Sequence, residues 1–117
     1  MKSDSEGSNF GYFIWGRDIN HFYSVGGRGL YEYRGGKWIN RLYVNSMNSI
    51  YGSDLNNIFM GGYRNKIYHF NGENWYQYIE LEDENKSIEG VWCNSNNVFL
   101  IMREISKTYI LRGKRKK

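Results

Sequence analysis

Three aromatic residues recur in equivalent settings and are the first candidates for chemistry. Trp15, Tyr51 and Trp92 each follow a β-branched residue, in "IWGRDIN", "IYGSDLN" and "VWCNSN". A row of such rings at one rim would stack on a sugar or a peptide. Asp18 and Asp54 occupy matching places a few residues on, where a carboxylate would take a sugar hydroxyl or a cation. Each feature has a plainer explanation. Aromatics carry large apolar area and serve as packing between repeated units. An Asp in a turn commonly accepts from its own backbone two residues on. We weigh the plainer explanation above the ligand in both cases.

Other chemistry finds little support in the chain. His21 and His69 lack a metal-binding spacing such as His-x-x-x-His. The acidic stretch "ELEDENKSIE", residues 80–89, lacks the alternating Asp order of a calcium loop and reads as a linker. There is no Gly-x-Ser-x-Gly and no phosphate-cradling loop opening a helix. Cys93, the single cysteine, stands where the other two stretches carry Gly16 and Gly52, so it reads as a small buried side chain. We expect no enzyme, no cofactor and no metal.

The elements that would position these residues follow from internal repetition. "IWGRDINHFYSVGG" from Ile14, "IYGSDLNNIFMGG" from Ile50 and "VWCNSNNVFLIM" from Val91 share an apolar start, a polar turn ending in Asn, and an apolar run. "YEYRG", "YHFNG" and "YILRG" then repeat Tyr-x-apolar-x-Gly, and Trp38 and Trp75 follow the first two. The period is 36 to 41 residues. Each unit holds short apolar runs between turn residues. Within "NNIFMG", strand alternation sends Ile58 and Met60 one way and Phe59 the other, so both faces need cover. The stretches "GGRG" and "GGYRNK" fit tight hairpins with glycine at positive φ. Eleven Tyr, four Trp and fourteen Gly, with no Pro, agree with an all-β chain.

On these residues the chain resembles bacterial β-propeller repeats with the pattern Ile/Val-Trp-Gly, then Asn-Asp-Val, then His-Tyr-x-Gly, then Trp. It is distantly similar to Kelch-like and WD-repeat blades. The likeness rests on Ile14–Trp15–Gly16, on residues 56–62, and on residues 67–72 with Trp75. It implies a partial β-propeller: two complete four-stranded blades, about 11–42 and 46–81, and about three strands of a third, 87–113. Residues 1–10 read as a polar N-terminus and 114–117 as a basic tail.

An open wedge of blades exposes two apolar faces and a bare strand edge, which proteins seldom leave uncovered. We therefore expect a ring completed by a homo-oligomer or by a second propeller chain. Val98, Phe99, Leu100, Ile101 and Met102 are the candidate assembly residues, and residues 8–12 are a candidate outer strand for a neighbour. The leading functional expectation is a non-enzymatic scaffold that binds a protein partner. A lectin using Trp15, Tyr51, Trp92, Asp18 and Asp54 is the alternative.

Charge supplies a third reading. Residues 1–102 carry nine Lys/Arg and eleven Asp/Glu, whereas 103–117 carry seven and one, so the net +4 belongs to the C-terminal end. A basic tail could anchor the chain to nucleic acid or to an anionic surface, yet a folded basic face is absent from the pattern. "MKSDSEGSNF" has no apolar signal-peptide stretch, and no run is long enough to suggest a membrane span. The lone cysteine suits a reducing compartment, so localisation stays open: cytoplasmic for the chain as written, extracellular if it is cut from a precursor.

Overall fold

Short alternating runs separated by turn residues become eleven strands in the computed structural model, which describes residues 13–26 and 28–114. Three antiparallel sheets form in chain order. The first comprises β1 (Phe13–Asp18), β2 (His21–Val25), β3 (Leu30–Arg34) and β4 (Lys37–Leu42). The second comprises β5 (Met47–Asp54), β6 (Asn57–Gly62), β7 (Ile67–Phe70) and β8 (Trp75–Gln77), followed by a 3-10 turn over Ile79–Leu81. The third comprises β9 (Ser87–Cys93), β10 (Asn97–Arg103) and β11 (Thr108–Lys114). Every strand pairs with its chain neighbour, so each sheet is a simple meander. The fold class is all-β, as expected. The proposed outer strand at residues 8–12 lies outside the described residues.

Turn chemistry explains the hairpins, with one correction. Gly35 and Gly36, at φ 59° and 84°, connect β3 to β4 in the positive-φ pair that a two-residue hairpin demands. At "GGYRNK" the positive φ falls instead on Arg64 and Asn65, at 59° and 60°. Asn tolerates this region, and Asn65 is pinned by its side-chain amide, which donates to the Leu81 carbonyl at 2.8 Å. Gly61 and Gly62 belong to β6 and serve packing.

That packing joins the sheets. The first and third sheets lie against opposite faces of the second, mainly through β1, β5 and β9. Ile58 and Met60 are fully buried between the first two sheets, with Tyr23, Val25, Leu30 and Ile50. Phe59 points the other way, into a second cluster with Ile67, Ile88, Cys93, Val98 and Leu100. The alternation expected for "NNIFMG" is thus present, and both faces of the middle sheet are covered.

Close approach is possible because two glycines withhold a side chain. A Cβ at Gly52 would stand 2.8 Å from the Trp15 ring, and one at Gly61 would stand 2.5 Å from Ile88. Hydrogen bonds between side chain and backbone reinforce the contact. The Val91 amide donates to Ser49 Oγ at 3.0 Å, and Asn48 Nδ2 donates to the Ile88 carbonyl at 3.1 Å.

Gly61→Ala should therefore lower stability by about 1–3 kcal/mol in urea unfolding, the cost of overpacking a filled interface. At Gly90 the nearest atom to an added Cβ is 3.6 Å away. Gly90→Ala should change stability by no more than about 0.5 kcal/mol.

Candidate functional site

The recurring turn residues act on their own backbone and on neighbouring turns. Asp18 Oδ1 accepts from the Asn20 amide at 2.7 Å, and Asp54 Oδ1 accepts from the Leu55 amide at 2.7 Å. Asp54 also pairs with Arg17 across the first two sheets. In the third unit Asn94 takes the equivalent part, accepting from the Asn96 and Asn97 amides.

The three rim aromatics do not share one environment. Trp15 is half-buried over Gly52 and packs against the first core cluster. Tyr51 packs against the second cluster and lies 6.3 Å from the Trp92 ring, nearly parallel to it. Trp92 is 46% exposed. Its neighbour Phe99, at 5.9 Å, lies beneath the Arg112 guanidinium at 5.6 Å. Trp92, Phe99 and Arg112 are cross-strand partners and form one row on the outer face of the third sheet.

Alternation divides the five candidate assembly residues of β10. Val98, Leu100 and Met102 face the second sheet and pack in its cluster. Phe99 and Ile101 face away, and Ile101 pairs with Ile110, which is 75% exposed. Only Phe99 and Ile101 are therefore available to a partner. At the other end of the molecule, Ile14 is 65% exposed on the outer face of the first sheet, the face that also carries the Phe22, Tyr33 and Trp38 rings.

Two polar arrangements were not anticipated. Glu32 is buried between the first two sheets, where its carboxylate meets His21 Nε2 at 2.5 Å, Tyr23 Oη at 3.2 Å and Arg41 Nε at 2.7 Å. Burial opposes ionisation of Glu32, but hydrogen bonds from Arg41 and His21 outweigh it and hold the carboxyl below its ordinary range. Burial, then the Glu32 charge, push the Tyr23 phenol up. The signal lay in "LYEYR": Glu32 takes the core-facing register of Leu30, a place where a charge needs partners.

The second arrangement is a cleft of about 530 Å³ between the second and third sheets. Its apolar base includes Phe59, Ile67, Val98 and Leu111. Its rim carries Asn57 and His69, whose Nε2 lies 2.8 Å from Asn57 Oδ1, while the His69 ring stacks on Phe59 at 4.3 Å. Asn57 Nδ2 in turn donates to the Asn94 carbonyl and to Ser53 Oγ. Arg112 and Lys114 border it along β11, with the Arg112 guanidinium turned to Phe99 on the other face of the sheet.

Cys93 is buried, and burial raises its thiol pKa to about 11, against a smaller opposing hydrogen bond at the Ser53 backbone. At neutral pH it is a packing residue, with Sγ 3.8 Å from the Tyr51 carbonyl. Among the described residues no three His, Cys, Asp or Glu side chains converge on a metal site, and no helix is long and apolar enough to cross a membrane. Comparison with protein-family models, with curated proteins and with solved structures finds no match to this chain.

Because the Glu32 pKa is lower folded than unfolded, its ionisation stabilises the fold above the unfolded value of about 4.3. That contribution is lost as pH falls through the lower folded value. Glu32→Gln should cost about 2 kcal/mol at pH 7, less than for a wholly buried pair because Arg41 keeps contact with water. It should also flatten the acid limb of a stability-against-pH curve. Cys93 should resist iodoacetamide in the native chain at pH 7.5 and react once denaturant unfolds it.

Proposed function

We propose that this protein is a non-enzymatic binding scaffold built as a partial β-propeller, whose two end faces stack on further copies to complete a larger ring. The observation that carries this reading is the serial equivalence of the sheet faces. Trp15 of the first sheet covers Gly52 of the second. Trp92 holds the repeat position of Trp15, and Gly16 holds that of Gly52. Trp92 thus ends the series with no sheet beyond it among the described residues, and Gly16 begins the series with none before it.

The remaining residues of the two faces agree. Phe99, Ile101 and Ile110 on the third sheet match positions that are covered within the chain on the first and second. Ile14 and Phe22 on the first sheet match Ile50 and Ile58, which are buried on the second. Contiguous apolar faces of this kind mark association surfaces. The contact is heterologous, so it closes only as a ring or continues as a filament. Two copies bring six sheets, inside the range of roughly four to eight blades that closed propellers use.

The ring presents repeated turns and rims to a protein partner. The exposed Trp92 ring also suits stacking on a sugar, so glycan-array binding lost in Trp92→Ala would move the reading to a lectin.

Light scattering of the purified chain at micromolar concentration should give a discrete multiple of the 13.9 kDa chain mass. Trp92→Ala and, on the opposite face, Ile14→Glu should each release folded monomers, with the β-sheet circular dichroism retained. A monodisperse wild-type monomer would overturn the assembly.

A further inference from the structure

We infer that the cleft between the second and third sheets is an acceptor for an extended segment of a partner polypeptide, which pairs with the outer edge of β11 and seats a tryptophan opposite Gly113, beside Leu111. The molecule contains its own precedent. In the wedge between the first and second sheets, β8 closes the outer edge and its first residue, Trp75, pairs with Phe70. The Trp75 ring stacks on Phe70 at 5.0 Å and lies edge-on to Tyr23 at 6.3 Å.

The next wedge is built alike but lacks that ring. In strand register Gly113, opposite Val98, stands where Phe70 stands opposite Ile58, and Phe59 holds the position of Tyr23. Both line the 530 Å³ cleft. That volume lies in the range of pockets that take small molecules or single side-chain anchors. Across it, β11 pairs only with β10 among the described residues.

The edge of β11 differs from its counterpart in a way that favours a strand from elsewhere. β7 stops at Phe70, and the chain turns back through Gly72 at φ 103°. β11 runs on straight to Lys114, still paired with Asn97 of β10. The edge is therefore longer than one a local hairpin would use, and its backbone groups can give an incoming strand a ladder of hydrogen bonds. Lys114 stands where the incoming strand would begin, so an acidic residue near the start of that strand suits the site. In the chain's own version Glu73 stands two residues before Trp75. His69, fixed by Asn57 and stacked on Phe59, supplies a flat wall for the indole. This site lies inside one copy and away from the two end faces. It stands or falls independently of the ring.

The probe is a synthetic peptide with the sequence of residues 73–81, which carries Glu73 and Trp75. Added to the intact protein up to millimolar concentration, it should protect alternate β11 amides from hydrogen exchange and shift the Phe59 and His69 ring resonances. The same peptide with Trp75→Ala should bind at least about tenfold more weakly. In the protein, Leu111→Lys should abolish binding, while Ile110→Ser on the opposite face of β11 should leave it intact. The proposal is overturned if millimolar peptide leaves folded β11 unprotected, if the peptide lacking tryptophan binds equally, or if a folded Leu111→Lys chain binds as well as wild type.

Discussion

The close approach of β1, β5 and β9 is the contact on which the rest of the molecule depends. It requires an absent side chain at Gly52, where the Trp15 ring lies, and at Gly61, where Ile88 enters. With those seats filled, both faces of the middle sheet are sealed and the two core clusters form on either side of it. Both core clusters lie between sheets rather than within one, so each sheet buries its apolar face only against a neighbour. Stacking turns each sheet into the lid of the next, which is the thermodynamic logic of repeat proteins.

The same logic accounts for what is left uncovered. Stacking is directional: Trp15, Tyr51 and Trp92 point forward from their sheets, and Gly16, Gly52 and Cys93 face backward. Among the described residues, no sheet covers the Gly16 face of the first sheet or the Trp92 face of the third. The cleft beside β11 arises differently. It is a wedge with two walls in place, where β11 pairs only with β10 among the described residues. The end faces have the area of a whole sheet, whereas the cleft has the width of a single strand.

Polar chemistry is divided between the wedges in a similar way. In the first, Glu32, His21, Tyr23 and Arg41 form a hydrogen-bonded group under cover. The corresponding positions of the second wedge carry His69, Asn57 and Phe59, together with Tyr78, and face the open cleft. A buried carboxylate is tolerable only with partners of this strength, and it makes the first wedge a fixed part of the fold. The Asn57 amide and the His69 imidazole of the second line the open cleft instead.

Strands, their order and their alternation were legible in the chain, because period-two burial writes Ile58 and Met60 on one side and Phe59 on the other. The pairing of Trp38 and Trp75 with the ends of their neighbouring strands could be read from the same repeats. The glycines of "GGYRNK" were misleading, since glycine can serve a turn or a close contact, and only the position of Ile88 decides between them. The split within Val98–Met102, the buried partners of Glu32 and the cleft at Leu111 depend on residues about 10 to 60 positions apart. Local pattern states which side chains alternate; which sheet lies opposite, and whether any does, is settled by the tertiary packing.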